Sequence, residues 1–422
     1  MLGMHGTWVL HFSLSRRKTE RAVHARQIVH RQLGACLSEL HAKRRAALLR
    51  AVEAALGAGR VTLSALGQRL PGSAQLKLKH RLKSVDRLLG SVGVGRQLPR
   101  IYAAVAQRLL AQVGTIVLAV DWSDLTADGA FHLLRASLIV DGRGLTIYQE
   151  VHGRKRLGHP AAHRQFLDQL ATLLPPGRAV IVLSDGGFHS PWFQAVAQRG
   201  WHFIGRIRGR NQVQTATQSW LPARQWFERA TTTTQDLGAG QYARNNPCDA
   251  RFVLTRRPAR HRHALTQTGQ RQRSRKSLRS ARSAREPWLL ACSPGLVHLS
   301  ADSIVQLYTH RMRIELDFRD TKNPLLGLGL DQARSRGRQR LSMLLLIVHL
   351  AGFVQRLIGE AVRAHAQLEL QFVATLRPCP EASVLTLGRR FLNDPRFASR
   401  PPPIASFSTL ARQANRAFEA AL

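Results

Sequence analysis

Two aspartates follow apolar segments that have the composition of buried strands. Residues 115–120 form a continuous apolar run rich in β-branched side chains, and Asp121 comes directly after it; a second run, 179–183, leads to Asp185. Such runs are typical of strands covered on both faces. A carboxylate at the carboxyl end of a buried strand lies at the sheet edge where α/β folds bind ligands. Either aspartate alone is better explained as a loop cap, but the pair favours a divalent-cation site, which needs several oxygen ligands.

A third carboxylate lies far downstream, on a helix predicted from Asp302 to Lys322. At about 100° per residue, four of its polar side chains fall within an arc of about 60°. These four residues are Tyr308, Arg311, Glu315 and Lys322. Leu307, Ile314 and Phe318 form an apolar stripe beside them that can anchor the helix to a sheet. The alternative is an ordinary surface stripe, with Arg311 and Glu315 as an i,i+4 pair worth a few tenths of a kcal/mol.

The elements that must position these residues alternate between strands and helices. The predicted strands lie at 115–120, 131–140, 145–151, 179–183 and 202–207, and the predicted helices at 162–174 and 191–199. Strand character resumes at 288–292, ahead of the helix that carries Glu315. This order predicts an α/β fold built on a mixed sheet.

The charge of the chain points to its partner. Lys and Arg number 63 against 25 Asp and Glu, which gives a formal net charge of +38. A field of that strength repels itself unless a polyanion is nearby, so nucleic acid is the first partner to consider. A ribosomal or merely basic protein is the alternative that charge alone does not separate.

Several other classes of protein are disfavoured. The four cysteines are far apart and form no C-x-x-C pair, which argues against a zinc site and against a disulfide framework. The apolar run 343–348 is too short to span a bilayer, and the first 15 residues lack a signal-peptide cleavage site. We therefore expect a cytoplasmic protein without a membrane partner.

The four-residue pattern Tyr-x2-Arg-x3-Glu-x6-Lys is similar to the signature of the DDE transposases of the insertion-sequence-four family. The segment 120–124, Val-Asp-Trp-Ser-Asp, resembles the first aspartate region of that family. The segment 183–188, Leu-Ser-Asp-Gly-Gly-Phe, followed by 205–208, Gly-Arg-Ile-Arg, resembles the second. The resemblance covers about residues 75–365 and includes no recognisable motif in the basic stretch 256–285.

The resemblance implies a ribonuclease-H-like fold with a strand-rich insertion before the glutamate helix. It implies that two Mg²⁺ ions, or Mn²⁺ in their place, are held by Asp121, Asp185 and Glu315, which are then the catalytic residues. The implied partner is double-stranded DNA, both the terminal inverted repeats of the element and the target, bound by a homodimer. The implied DNA-binding residues are Tyr308, Arg311, Lys322, Arg206, Arg208 and Trp288.

The role of Trp288 has two interpretations. In relatives that cut the second strand through a DNA hairpin, a Trp at the corresponding position stacks on a flipped base. The other interpretation is a core aromatic at the start of a strand. The hairpin and other routes for cutting the second strand stay open at this stage.

Five segments are predicted along the chain. They are a helical DNA-binding domain at 1–113, the first part of the catalytic domain at 114–210, a basic insertion at 211–286, the second part with the glutamate helix at 287–365, and a C-terminal tail at 366–422. The basic stretch 256–285 contains no Asp or Glu, which favours a flexible loop near phosphates or a disordered segment.

The predicted function is cut-and-paste DNA transposition. One alternative is a DNA-binding protein that is not an enzyme, encoded by a decayed element. The other is a nuclease of the same fold without strand transfer, which shares the metal chemistry and differs only in joining.

Overall fold

A computed structural model describes residues 27–72, 75–257, 270–275, 277–278, 285–374, 382–394, 396 and 404–422. Most of the basic stretch 256–285, for which a flexible loop near phosphates or a disordered segment is predicted, lies outside these residues. So do residues 1–26 of the predicted N-terminal domain.

One ten-stranded mixed sheet organises the described part of the chain. In chain order its strands are β1 (Ile116–Asp124), β2 (Phe131–Val140), β3 (Arg143–Gly153), β4 (Val180–Ser184), β5 (His202–Ile207), β6 (Gln212–Thr215), β7 (Gln218–Pro222), β8 (Gln235–Tyr242), β9 (Cys248–Thr255) and β10 (Trp288–Cys292). Across the sheet they follow the order β3-β2-β1-β4-β5-β10-β9-β8-β6-β7. The pairs β1–β4 and β4–β5 are parallel, and the others are antiparallel. The predicted mixed α/β sheet is confirmed.

Helices pack on this sheet, and further helices precede its first strand and follow its last strand along the chain. A helix over residues 27–33 comes first. The helices after it are α1 (Ala42–Ala58), α2 (Leu63–Arg69), α3 (Leu78–Leu89), α4 (Val92–Gly95), α5 (Leu98–Leu110), α6 (Pro160–Leu173), α7 (Ser190–Ala197), α8 (Ala223–Glu228), α9 (Ala301–Thr309), α10 (Arg313–Lys322), α11 (Arg338–Arg363), α12 (Ala366–Glu369), α13 (Val384–Asn393) and α14 (Phe407–Glu419).

The core extends without a break from the N-terminal helices into the sheet. Leu48 and Val52 of α1 belong to the same cluster of buried apolar side chains as Leu118 of β1 and Leu344 of α11. Helix α1 packs against α11, and α5 packs against β3 and α6. The described N-terminal helices are therefore held in place by the body that carries the aspartates.

Helix α11 lies at the centre of this packing. Among the described residues it is the one helix long and apolar enough to cross a membrane by length and composition, and it is largely buried inside the protein. A buried core helix has the same composition, so this is weak evidence for a membrane span. Two glycines allow close approach of α13, since a Cβ at Gly359 would lie 1.7 Å from the carbonyl oxygen of Val384 and one at Gly388 would lie 2.0 Å from that of Gln355.

The predicted C-terminal tail, residues 366–422, contains α12, α13 and α14 among its described residues. Helix α14 packs against β1, β2 and α5, and α13 packs against α11. Leu410, Ala414 and Ala417 are buried at helical spacing, so apolar periodicity is the signal that identifies α14.

Candidate active site

The two aspartates lie at the same edge of the sheet because their strands are parallel neighbours. Val120 pairs with Ser184, which places Asp121 and Asp185 one step further along β1 and at the end of β4. Asp121 Oδ1 accepts a hydrogen bond from the backbone N–H of Trp122 at 2.8 Å, and Asp185 Oδ1 accepts one from that of Gly187 at 2.8 Å. A Cβ at Gly187 would lie 3.0 Å from Asp185 Oδ1, so glycine keeps this turn tight around the carboxylate.

The helical segment predicted over 302–322 is present, but a 3-10 turn divides it into two α-helices. Helix α9 ends at Thr309, a 3-10 turn covers His310–Met312, and α10 begins at Arg313. Each residue of a 3-10 turn advances about 120° instead of about 100°, which adds about 60° over three residues, so the four signature residues still fall within an arc of about 60°. Tyr308 and Arg311 are buried, whereas Glu315 is exposed.

Arg311 joins two of the predicted catalytic carboxylates. Its Nη1 donates to Asp121 Oδ2 at 3.1 Å, and its Nη2 donates to Glu315 Oε1 at 3.2 Å. Only 9% of Arg311 is exposed. The structure therefore brings the first aspartate and the glutamate together around one buried guanidinium.

The electrostatics of this cluster are those of crowded negative charge. Burial and the neighbouring carboxylate of Asp185 raise the pKa of Asp121 to about 7, although the charge of Arg311 and the N–H of Trp122 oppose the rise. Burial by itself would lower the pKa of Arg311, but Tyr308 and the carboxylates around it raise that pKa above its ordinary value. The positive charge of Arg311 does not fully offset the negative charge of the carboxylates around it.

These residues fit a divalent cation in donor chemistry. Carboxylate oxygens are the ligands that Mg²⁺ prefers, and a buried carboxylate with a raised pKa is stabilised by added positive charge. In the part of the chain that the structure describes, there is no group of three His, Cys, Asp or Glu side chains arranged to hold a metal ion. Arg311 lies between Asp121 and Glu315 instead, so its guanidinium and a cation would compete for the same oxygens.

Lys322 fastens the end of α10 to the strand that carries Asp121. Its Nζ donates to Ser123 Oγ at 2.8 Å and also to the carbonyl oxygen of Asp124. Burial lowers the pKa of this ammonium. The last signature residue therefore contacts β1 at Ser123 and Asp124, two and three residues after the first aspartate.

Tyr308 and Trp288 contact each other beside this cluster. Their ring centroids are 5.0 Å apart with an interplanar angle of 83°, an edge-to-face arrangement. Trp288 is partly buried at the start of β10, and the guanidinium of Arg257 lies over its ring at 5.2 Å. Burial raises the pKa of Tyr308. Trp288 thus has core packing on one side without being fully covered.

The two arginines of β5 hold the segment that precedes Trp288. Arg206 is buried, and its Nη2 donates to the carbonyl oxygens of Glu286 and Pro287 at 3.0 and 3.2 Å. Arg208 forms an ion pair with the Glu286 carboxylate at 3.5 Å. Burial lowers the pKa of Arg206 to about 10. In this structure both side chains bind the protein, and Arg206 positions the entry to β10.

Asp317 holds α10 on the sheet through polar contacts that the sequence pattern did not predict. Asp317 lies two residues after Glu315 and forms an ion pair with the buried Arg135 of β2 at 3.3 Å. Ser137 and Thr146 each donate a hydrogen bond to Asp317 Oδ2 at 2.7 Å. These contacts fix α10 on the sheet beyond what Ile314 and Phe318 provide. An acidic residue beside the apolar stripe of the helix was the available signal.

The family model for the transposase DDE domain matches residues 113–351, more than half of the chain. The chain therefore belongs to the transposase DDE domain family, and the expectation of a DDE transposase is confirmed at that level. The matched region begins before β1 and ends within α11, so it includes both aspartates and Glu315. No curated protein matches the chain.

Proposed function

We propose that this protein is a cut-and-paste DNA transposase of the insertion-sequence-four type that uses Asp121, Asp185 and Glu315 as its catalytic carboxylates. The observation that carries the proposal is the meeting of Asp121 and Glu315 on Arg311, with Asp185 near enough to raise the pKa of Asp121. A carboxylate with a raised pKa, next to the point where the parallel strands β1 and β4 stop pairing, is typical of a catalytic site.

The arrangement of the strands supports a ribonuclease-H-like catalytic core. Five neighbours follow the order β3-β2-β1-β4-β5, with β1, β4 and β5 parallel and β2 antiparallel to both of its neighbours. Strands β6 to β10 continue the same sheet on the far side of β5. Four of them lie between Asp185 and Trp288, where the insertion is expected.

The chain's own residues divide the work of phosphoryl transfer. Asp121, Asp185 and Glu315 would hold divalent cations, Mg²⁺ or Mn²⁺, which when bound activate the attacking oxygen and stabilise the leaving one. Arg311 compensates the carboxylates in the absence of a cation, and its fork of donors suits a phosphate group once the carboxylates are otherwise occupied. Lys322 keeps the end of α10 beside β1 and offers a second positive charge near the reacting strand.

DNA binding extends over a basic helix at the N-terminal side. On α3, Lys79, Lys83 and Arg87 are exposed at i, i+4 and i+8, so they share one face. A stripe of this kind suits contact with DNA phosphates. We assign residues 1–113 to recognition of the element ends by a homodimer acting in the cytoplasm.

The proposal is tested with Asp121→Asn, Asp185→Asn and Glu315→Gln on a duplex that carries the DNA bordering the coding region. Each change removes an anionic ligand with little change of shape, so each should abolish Mg²⁺-dependent cleavage and leave DNA binding largely intact. Asp124→Asn is the matched control, because Asp124 is on the same strand with a side chain 75% exposed and paired with His132. Near-normal cleavage by one of the three variants would remove that residue from the catalytic set.

A joining assay separates transposition from simple nuclease activity. Pre-cut element ends with free 3′-hydroxyls are incubated with a supercoiled target and Mg²⁺. Transfer of the ends to the target supports the transposase, whereas cutting without joining supports the nuclease. Binding without either reaction supports the decayed element.

A further inference from the structure

A buried histidine of α6 lies between the two segments that carry the aspartates. His163 Nε2 accepts a hydrogen bond from Trp122 Nε1 at 3.0 Å. The centroid of its ring is 5.1 Å from that of Phe188 and 5.1 Å from that of Trp192. One imidazole therefore contacts the residue after Asp121 and the end of the turn that begins at Asp185.

Each of these contacts is connected to an aspartate by a short stretch of backbone. The backbone N–H of Trp122 donates to Asp121 Oδ1 at 2.8 Å, so the position of Trp122 helps to set the orientation of the Asp121 carboxylate. The N–H of Phe188 donates to the carbonyl oxygen of Asp185 at 3.3 Å, which closes the turn around that carboxylate. A shift of either ring is transmitted to a predicted metal ligand.

The imidazole is suited to accept this hydrogen bond at neutral pH. His163 is 5% exposed, and burial together with His152, His159 and His189 lowers its pKa to about 4. A neutral imidazole has one acceptor nitrogen, and here Nε2 faces the indole N–H while the proton is on Nδ1. An apolar residue at this position would fill the space and leave the indole N–H without its acceptor.

We infer that His163 is a positioning residue that holds the segments of Asp121 and Asp185 in a fixed relation. The inference rests on the proposed function, since it assigns to His163 a role in supporting the cation-binding aspartates. Groups hydrogen-bonded to the direct ligands typically change metal affinity by about 10- to 100-fold when they are removed, and a residue one contact further out should act at the lower end of that range. His163 does not contact the reacting atoms and acts only through Trp122 and Phe188.

The test compares His163→Leu and His163→Gln with a second buried histidine. His349 is also buried, with its ring packed on Tyr102 at 4.9 Å, so His349→Leu is the matched loss of a core imidazole. Calorimetry measures Mn²⁺ affinity without DNA, cleavage is measured against Mg²⁺ concentration, and thermal unfolding reports stability. His163→Leu should weaken Mn²⁺ binding and raise the half-saturating Mg²⁺ concentration by about 10-fold.

The other variants give the discriminating results. His163→Gln keeps an acceptor and should recover most of the loss, while His349→Leu should lower the melting temperature without changing the metal requirement. A folded His163→Leu protein with wild-type metal affinity would overturn the inference, as would an equal shift in His349→Leu. A wild-type protein that binds no metal and cleaves no DNA removes the proposed function itself, whereas active wild type with equally active His163→Leu removes this inference alone.

Discussion

Arg311 and Asp121 are 190 positions apart in the chain, yet Nη1 of the arginine donates to Oδ2 of the aspartate at 3.1 Å. The same guanidinium also donates to Glu315, which lies one helical turn further along the chain. Burial makes this contact consequential, because an aspartate with its pKa raised to about 7 depends on the nearby cation to stay ionised. Arg311 is therefore the central element of charge balance in the candidate site.

Arg311→Ala should reduce cleavage by roughly 10- to 100-fold, which corresponds to a lost charged hydrogen bond of about 1.5–3 kcal/mol. Metal binding should be retained or become tighter, since the variant removes a positive charge that competes for the same carboxylates. Cleavage rates and calorimetric metal affinity check the two parts. Arg319→Ala is the control, because Arg319 is an exposed cation on the same helix. A collapse of metal affinity in Arg311→Ala would mean that the arginine organises the ligands instead of competing with a cation.

Lys322→Met should slow cleavage by a similar factor and also lower thermal stability. The variant keeps the aliphatic stem but loses the donors to Ser123 Oγ and to the Asp124 carbonyl, which tie α10 to β1. Lys322→Arg should recover only part of the activity, because a planar fork replaces a compact ammonium. Single-turnover cleavage and thermal unfolding are the measurements. Full activity of Lys322→Met at saturating Mg²⁺ would show that the ammonium has no role in the reaction.

Trp288→Ala tests the hairpin route. If a base is flipped from the stack, stacking on the indole returns about 1–3 kcal/mol, so hairpin formation should slow by one or two orders of magnitude while the first nick stays nearly normal. Trp288→Phe should keep much of the rate, since a ring remains. Gel analysis of nicked and hairpin products separates the two steps.

Trp288 packs on Tyr308, so its removal could instead disturb the core around β10 and slow both steps. Equal slowing of nicking and hairpin formation, or a large drop in melting temperature, would make Trp288 a core residue. Trp226 is then a poor substitute for base stacking, because it is 3% exposed and its ring is covered by Arg229. Trp220, which is only partly buried, is the other tryptophan between residues 211 and 286.

Acid should destabilise the protein through its buried histidines. Burial lowers the pKa of His349 to about 3 from an ordinary value of 6.5. Below pH 6.5 the unfolded chain takes up a proton that the folded chain refuses, so the free energy of unfolding falls as the pH falls from 6.5 towards the folded pKa. At pH 5 this amounts to at most about 2 kcal/mol for one such histidine, since one pH unit corresponds to about 1.4 kcal/mol.

His349→Gln should remove that part of the acid sensitivity. Denaturant unfolding of the wild type and the variant at pH 7.5 and pH 5 checks it, and the difference between the two proteins isolates the histidine from the general repulsion of a chain with net charge +38. If the wild type and His349→Gln lose the same free energy of unfolding between pH 7.5 and pH 5, His349 takes up a proton equally in the folded and unfolded states, and the prediction is wrong.

The sequence by itself determined where the candidate chemistry lies along the chain. Asp121 and Asp185 each follow a short run of apolar, β-branched residues, which is typical of a buried strand, and β1 continues past Asp121 to Asp124. The spacing of Arg311 and Glu315 likewise survives in the structure, because an i,i+4 pair is set by local backbone geometry. Local pattern was sufficient for these features since it depends on residues that are near neighbours in the chain.

Tertiary structure decided which groups meet. The contacts of Arg311 with Asp121, of Arg135 with Asp317 and of His163 with Trp122 join residues far apart in sequence, and no local period encodes them. The 3-10 turn at 310–312 also escaped the helical pattern, because a change of about 20° per residue leaves the apolar spacing almost unaltered. These features depend on the parallel pairing of β1 with β4 and on the packing of α10 across β1 to β3, which the chain reaches only when the whole sheet has formed.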